Sequence, residues 1–177
     1  GMVGTGRLEQ PIKAVREKGA MSEALESING LIVPLLNDPL LLPNVAVAEL
    51  VGYRLSQAAN QGPEWFLGWT QWRDQPVPMV DLDALRAVGG EPAEGAQPRT
   101  LILNALGDSG LHFIGLRVWG IPRSRKLLRD ELQTLDGPAS YQLQRVTVSD
   151  EPQPLLIPDL LAVERALEQA GLLRRAS

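Results

Sequence analysis

The sequence predicts a mainly β protein made of two similar small β-barrels, each closed or plugged by a short helix. From Gly30 onward, short apolar runs alternate with polar turns, which is typical of strands joined by tight connections. Residues 75–82 (QPVPMVDL) also align without a gap to residues 153–160 (QPLLIPDL), at an offset of 78 residues. In both copies an apolar strand runs into Asp-Leu and a helix, which favours a duplicated barrel. A chance match, or a shared local exit from strand to helix, is the alternative explanation.

The first half is predicted to consist of short strands and one helix. Pro34 cannot donate to a β ladder, so its strand is expected at a sheet edge or at a bulge. Asp81 is placed to cap a short helix over residues 82–88, and Gly89-Gly90 end that helix. Residues 91–98 are rich in Gly, Pro, Ala and Glu and are typical of a linker. The strands of this half are expected at residues 31–36, 40–42, 45–51, 65–72 and 77–80.

The second half repeats this order of elements. Residues 107–110 (GDSG) predict a hairpin turn between two strands. Residues 123–135 are expected to be irregular or briefly helical. A terminal helix is predicted over residues 159–173, because four of its apolar side chains recur at helical spacing. Those side chains are Leu160, Val163, Leu167 and Ala170, and the strands of this half are expected at residues 100–106, 111–118, 141–148 and 155–157.

The chain is predicted to contain one folded domain. A polar, weakly patterned stretch at residues 1–28 indicates a mobile N-terminal arm, and Gly1 before Met2 is interpreted as a remnant of tag removal. The domain is expected over residues 29–173, followed by a short tail at residues 174–177. A loop near residues 89–98 is expected to separate its two halves.

Composition removes several classes of function. The 177 residues include no cysteine and one histidine, His112, which excludes disulfides, thiol nucleophiles and thiolate or multi-histidine metal sites. A net charge of −4 and a pI of about 5.1 argue against a protein that binds nucleic acid through a broad basic face. No signal-peptide pattern or membrane-length apolar run occurs. We therefore expect a cytoplasmic protein without metal or cofactor, either a non-catalytic module or an enzyme that uses carboxylates alone.

The most specific pattern lies at residues 63–82 (PEWFLGWTQWRDQPVPMVDL). It resembles the CheW family, the adaptor proteins of bacterial chemosensory arrays, whose signature joins a Gly-containing strand, an Arg-Gly turn and a Val-Pro-Val-Ile-Asp-Leu strand. Residues 47–51 and 113–118 also resemble family segments, so the likeness extends over about residues 30–173. The matching positions in the central stretch are Pro63, Glu64, Gly68, Arg73, Val77, Pro78, Asp81 and Leu82.

The resemblance implies two five-stranded barrels with a groove between them and a function without catalysis. CheW-like adaptors bind the cytoplasmic tips of chemoreceptors and the regulatory domain of the histidine kinase CheA, in chemotaxis or in type IV pilus motility. By position, Arg73 is expected to contact the receptor, and Gly68 to let a neighbouring backbone approach closely. Glu49, Trp72 and Asp74 complete the predicted partner-binding residues.

The sequence departs from the family pattern at several positions. Asp74 replaces the turn glycine, and aspartate tolerates a left-handed conformation better than most residues. Trp119 stands where the family usually has an acidic residue. Trp69 and Trp72 replace ordinary aliphatic residues in the central strand. These changes leave the fold plausible and concern the partner surface.

The tryptophans are expected mostly in the core. By the two-residue period of a strand, Trp65, Leu67 and Trp69 share one face, whereas Phe66, Gly68 and Trp72 depart from it. An exposed member of this group would favour a protein interface. A base-stacking platform, as in a single-stranded nucleic-acid-binding barrel, is the competing interpretation.

Two further clusters bear on the alternative functions. Asp81 and Asp83, with Glu49 or Glu64, are candidate carboxylates for a hydrolase, although an N-cap and a first-turn position explain the two aspartates structurally. The basic cluster is interpreted first as a solvated mixed-charge face, then as an electrostatic docking patch, and last as a nucleic-acid site. This cluster consists of Arg123, Arg125, Lys126 and Arg129, followed at once by Asp130 and Glu131.

Overall fold

The structure, a computed structural model, describes residues 27–175. This part of the chain is mainly β, as predicted, and within it no helix is long and apolar enough to cross a membrane. Its strands are β1 (Ser27–Val33), β2 (Leu40–Pro43), β3 (Val47–Gly52), β4 (Gln57–Ala58), β5 (Phe66–Trp72), β6 (Gln75–Val80), β7 (Arg99–Asn104), β8 (Phe113–Val118), β9 (Arg123–Leu128), β10 (Leu132–Asp136), β11 (Gln142–Val148) and β12 (Leu155–Pro158). Its α-helices are α1 (Leu82–Leu85) and α2 (Leu160–Gln169).

The strands form two six-stranded sheets of matching topology. We call the sheet with the order β10-β11-β12-β2-β1-β9 the terminal sheet, and the sheet with the order β3-β7-β8-β6-β5-β4 the central sheet. In each sheet the two middle strands are parallel, β12 with β2 and β6 with β8, and the other neighbours are antiparallel. The prediction of two barrel-like halves is confirmed, with six strands in each sheet instead of five.

The sequence repeat occupies equivalent places in the two sheets. β6 and β12 each pair with the preceding strand on one side and with a parallel strand on the other. Each is followed by an aspartate N-cap. Asp81 Oδ1 accepts from the Ala84 amide, and Asp159 Oδ1 from the Ala162 amide, both at 3.1 Å. The structure therefore supports duplication, and it also shows that both copies share the predicted strand-to-helix exit.

The chain passes between the sheets at places that differ from the expected one. β1 and β2 join β9–β12 in the terminal sheet, so the first and the last strands of the described residues belong to the same half. The loop at residues 89–98 connects α1 to β7, and the strands on both sides of it, β6 and β7, belong to the central sheet. The chain crosses between the sheets at residues 44–46 and 119–122 instead. The expectation that 89–98 separates the two halves is therefore wrong.

The segment at residues 123–135, expected to be irregular or briefly helical, contains β9, a 3-10 turn and most of β10. Its many charged residues carry a weak strand signal on their own. Pairing with β1, from Ser27↔Leu128 to Ile32↔Arg123, provides the order that the local sequence lacks.

The helix after Asp81 is shorter than predicted. It ends at Leu85 rather than at residue 88. Ala87 adopts a φ of +60°, and the Val88 amide donates to the Asp83 carbonyl at 3.0 Å. The chain thus leaves the helical conformation before it reaches Gly89-Gly90.

The ends of the domain also differ slightly from the prediction. Ser27 and Ile28, placed in the predicted arm, belong to β1, and the remainder of that arm lies outside the described residues. At the other end a 3-10 turn spans Leu172–Arg175, which includes the first two residues of the predicted tail. Residues 176 and 177 lie outside the described part of the chain.

The core is divided into one shared region and two smaller ones. Side chains alternate along each strand, so each sheet has one face on the shared core and the other on its own cluster. In β2, for example, Leu40 and Leu42 enter the shared core, whereas Leu41 enters the cluster of the terminal sheet. The shared core joins both sheets and α2 through Val33, Leu40, Leu42, Leu156, Val80, Leu101, Leu116, Val118, Val163 and Leu167.

Two buried carboxylates connect the halves reciprocally. Asp83 of α1, which follows a central strand, accepts from the Leu36 amide and the Asn37 side chain, both at 3.1 Å, in the β1–β2 loop. Glu164 of α2, which follows a terminal strand, accepts from the amides of Leu106 and Gly107 at 2.9 and 3.0 Å, in the β7–β8 loop. These two loops are equivalent in the duplicated topology. Each half therefore provides the acceptor for the other half's hairpin.

Burial and hydrogen bonding have opposite effects on Glu164. Burial alone raises the pKa of this carboxyl, but hydrogen bonds from Ser109, Gly107 and Leu106 outweigh burial and hold the pKa below its usual range. Glu164 therefore stays ionised at neutral pH while it is only 1% exposed.

Candidate functional site

The turn between β5 and β6 presents Arg73 and Asp74 to solvent. Trp72 pairs with Gln75, so Arg73 and Asp74 between them form a two-residue hairpin turn. Both have left-handed backbones, with φ of +49° and +64°, as a type I′ turn requires. Asp74 adopts the left-handed conformation expected of it, and Arg73 adopts it as well. Because a turn of this type matches the twist of the paired strands, it defines the position of the Arg73 backbone.

Arg73 is an exposed cation that lies on an aromatic ring. Its guanidinium carbon is 4.5 Å from the centre of the Trp72 ring, which is cation–π geometry. Within residues 27–175, no carboxylate lies within ion-pair distance of it. The charge of Arg73 is therefore available for a partner.

Trp72 is buried, at 8% exposure, and supports the turn from below. It packs with Val77 and Ile102, and its ring meets the Phe113 ring edge to face at 4.6 Å. Its Nε1 donates to Glu49 Oε1 at 2.8 Å. The structure thus brings Glu49, Trp72, Arg73 and Asp74 together. Trp72 contacts both Glu49 and Arg73 and is itself buried, so it supports these side chains and is not part of the exposed surface.

Gly68 lies apart from the turn and next to β4. It has a φ of +130°, and a Cβ built there would lie 2.2 Å from the Gln57 carbonyl oxygen and 2.8 Å from the Ala59 amide. The backbone that approaches Gly68 closely is therefore the chain's own β4. Since Gly68 is itself buried, its observed contacts are internal.

The aromatic residues of β5 follow a different alternation from the predicted one. The register with β6 shifts between Phe66 and Gly68, which marks a bulge. Phe66 and Trp69 consequently enter the same shared core, with ring centres 6.0 Å apart, while Leu67 is only partly buried. The expectation that Trp65, Leu67 and Trp69 form one face is wrong because the bulge interrupts the two-residue period.

A cavity of about 480 Å³ lies beside the edge strand β4. One wall is the central sheet and the loop before β5, and the other is the chain that follows α2. None of the five residues predicted to bind a partner lines it. Its lining residues are 56–63, Phe66, Trp69, Gln71, Pro76 and 170–172.

Three of the four candidate hydrolase carboxylates have structural partners, and the fourth, Glu64, is exposed. Asp81 caps α1 and also binds Arg117, whose Nη2 lies 2.8 Å from Asp81 Oδ2. Asp83 holds the β1–β2 loop, and Glu49 accepts from Trp72. Among the described residues, no group of three or more His, Asp or Glu is arranged to hold a metal ion. These positions give no support to the hydrolase interpretation.

Two of the four cations in the basic cluster, Arg123 and Arg125, are paired with carboxylates of the same half. Arg125 lies 2.6 Å from Glu151 and 2.9 Å from Glu131, and Arg123 also binds Glu151. Hydrogen bonds from Arg123 and Arg125 lower the pKa of Glu151, and the bond to Glu151 raises the pKa of Arg125. This mixture of paired and exposed charges, with three carboxylates beside the cations, matches the first interpretation, a mixed-charge face.

Sequence reasoning missed several residues that organise the molecule. Arg117 lies between the rings of Tyr53 and Trp119, at 5.8 and 5.3 Å. Glu151 and Glu164 each receive several hydrogen bonds from distant segments. Local patterns do not identify these residues, because apart from Trp119 the partners named here are separated from them by tens of residues.

Comparisons with known proteins agree with this architecture. A family model described as the CheW-like domain matches residues 29–168. The crystal structure of the scaffolding protein TtCheW from Thermoanaerobacter tengcongensis is similar, with a TM-score of 0.60 and 18% identity over 75% of this chain and 89% of that one. That likeness shows the fold. A comparison with curated proteins found no match. Because the family model spans more than half of the sequence, the chain belongs to the CheW-like domain family.

Proposed function

We propose that this chain is a non-catalytic adaptor that couples chemoreceptors to a CheA-type histidine kinase. The single observation that supports it most strongly is Arg73, an exposed cation on a two-residue hairpin turn with no carboxylate partner among residues 27–175, at the position where the family resemblance expects the receptor contact. The proposal places the protein in the cytoplasm, at arrays of membrane-anchored receptors. Its pathway is swimming chemotaxis or pilus-based motility.

The arrangement of charge favours binding over chemistry. The described carboxylates with lowered pKa values, Glu151 and Glu164, are held by hydrogen bonds and remain ionised. A general acid at neutral pH requires the opposite shift. What the central sheet offers instead is a preorganised guanidinium, and arginine is among the residues enriched at the energetic centres of interfaces.

Coupling requires that one molecule bind two partners at once. We propose that the receptor tip contacts the β5–β6 turn and that the regulatory domain of the kinase binds elsewhere on the molecule. No bond is made or broken in this function, because the output is the relative placement of receptor and kinase.

The test is a binding measurement with a matched pair of charge reversals. Arg73→Glu should weaken binding to a cognate receptor-tip fragment by at least about tenfold, because a cation is replaced by an anion at the contact. Arg129→Glu reverses an exposed arginine in the terminal half, before β10, and serves as the control. Isothermal titration calorimetry gives the affinities, and thermal unfolding checks that both variants are folded.

The result can contradict the proposal in two ways. If the wild-type protein binds neither a receptor tip nor the regulatory domain of a CheA-type kinase from the same genome, the adaptor function is wrong. If it binds the receptor and Arg73→Glu behaves like Arg129→Glu, the adaptor function stands and the contact has been assigned to the wrong surface.

A further inference from the structure

We infer that Trp72 determines what Arg73 can bind: it holds the guanidinium in place, engages Glu49, and so leaves Arg73 available for an acidic side chain of the partner. This inference rests on the proposed function and names the chemistry of its receptor contact. It assigns to Trp72 a positioning role, since the side chain is buried and does not itself meet a partner.

Trp72 is fixed on three sides. Phe113 packs against its ring at 4.6 Å, with the ring planes at 74°. Val77 and Ile102, both 0% exposed, close the hydrophobic cluster beneath it. The indole N–H is bound to Glu49, so rotation of the ring breaks a hydrogen bond as well as a packed contact.

This fixed ring positions the Arg73 guanidinium. The ring covers one face of the cation at 4.5 Å, which leaves the N–H groups at its edge free to donate. A planar guanidinium with free N–H groups pairs best with a carboxylate, through two parallel hydrogen bonds. The partner chemistry that fits Arg73 is therefore an aspartate or glutamate side chain.

Glu49 is the carboxylate that would compete for this role. Both Glu49 and Arg73 contact the same indole, one at its N–H and the other on its face. Because Nε1 engages Oε1 of Glu49 at 2.8 Å, the exposed carboxylate is held toward Trp72. Without that donor, Glu49 is free to turn toward Arg73 and neutralise it.

A double-mutant cycle tests this competition. Trp72→Phe keeps an aromatic ring under Arg73 but removes the N–H that holds Glu49. We expect it to weaken binding to the receptor-tip fragment by about threefold to tenfold. Glu49→Gln removes the competing charge, so it should raise the affinity at least about threefold more in the Trp72→Phe background than in the wild type.

The readouts separate this inference from a purely structural role. The Glu49→Gln change should restore affinity in the Trp72→Phe protein without restoring its thermal stability. If Trp72→Phe binds as the wild type does, or if Glu49→Gln has the same effect in both backgrounds, the inference is wrong. Absence of receptor binding by the wild type would instead contradict the proposed function.

A second measurement keeps the inference testable if Trp72→Phe does not fold. A guanidinium–carboxylate contact predicts that the affinity of the wild type falls as salt rises, because ions screen the pair. Arg73→Gln should reduce this salt dependence. An affinity with equal salt dependence in both proteins would exclude the acidic partner side chain.

Discussion

The two sheets share a topology but differ in the composition of their hydrophobic clusters and in their ion pairs. The cluster of the terminal sheet is aliphatic, whereas that of the central sheet contains Trp72. The central half also contains the Asp81–Arg117 ion pair. Charged side chains also connect separate segments of the terminal half. Arg125 joins Glu131 and Glu151, and Arg145 joins Asp38 and Asp136. The aliphatic cluster comprises Ile32, Leu41, Leu127, Val146, Val148 and Leu155.

In the central half, an edge strand, a cavity and an arginine are accessible at the surface. Its edge strand β4 has two residues, and a cavity of about 480 Å³ lies beside it. Arg73 lies on the opposite side of β5 from β4, at the turn into β6, without an ion-pair partner among residues 27–175. From this comparison we propose that the central half carries the partner contact and that the ion pairs of the terminal half serve to hold the fold together.

The largest expected effect on stability is in the central half, at Gly68. Gly68→Ala places a Cβ 2.2 Å from the Gln57 carbonyl oxygen at a φ of +130°, so β4 must move away. We expect a loss of about 3 kcal/mol in the free energy of unfolding, measured by urea denaturation. Gly52→Ala is the matched control, because a Cβ at Gly52 has nothing within 4 Å and should change stability by less than about 0.5 kcal/mol. Equal effects of the two changes would contradict the close packing of β4.

The next effect concerns the connection between the halves. Glu164→Gln leaves amide donors of Leu106 and Gly107 facing a neutral side chain, and should cost about 2 kcal/mol of unfolding free energy. Glu168→Gln, one turn later on an exposed position of α2, is the control. Because the pKa of Glu164 is lowered by folding, its contribution is complete above the unfolded pKa and is lost as pH falls through the folded pKa. The difference between wild type and Glu164→Gln should therefore shrink in acid, and a difference that grows in acid would contradict this account.

A smaller effect is expected in the terminal half. Glu151→Gln weakens the contacts with Arg123 and Arg125 and should cost about 1 kcal/mol, since hydrogen bonds to charged groups contribute on this scale. The lowered pKa of Glu151 gives the same sign of pH dependence, with the contribution lost as pH falls. Urea denaturation at low and high salt measures it. A loss that does not diminish at high salt would show that the carboxylate acts through packing rather than charge.

Features that depend on local sequence are predicted correctly. The repeat at residues 75–82 and 153–160 predicts the equivalent strands β6 and β12 and their caps at Asp81 and Asp159, because each motif is local. Likewise the sequence predicts a turn over residues 73–75, since they lie between two apolar strands, and the structure places its centre at Arg73 and Asp74.

Long-range pairing accounts for what the sequence does not predict. β9 forms because β1, about a hundred residues earlier, pairs with it. The bulge at Phe66 and Gly68 changes the face on which the aromatic residues lie, and only the register with β6 defines it. Glu49 and Trp72 are both predicted as site residues, but their hydrogen bond joins two strands that are not neighbours in the sheet. Such contacts depend on how the sheet of the central half curves to bring distant strands together, and no local sequence pattern predicts that curvature.

The central claim is that the receptor contact lies in the central half, at Arg73, whereas the ion pairs of the terminal half contribute to stability alone. The most direct measurement compares Arg73→Glu with Glu151→Gln, recording for each the affinity for a receptor-tip fragment and the free energy of unfolding. We expect Arg73→Glu to lose affinity at nearly wild-type stability, and Glu151→Gln to lose stability at nearly wild-type affinity. If Arg73→Glu retains its affinity, or if both substitutions lower both quantities to the same extent, the division of roles between the two halves is contradicted.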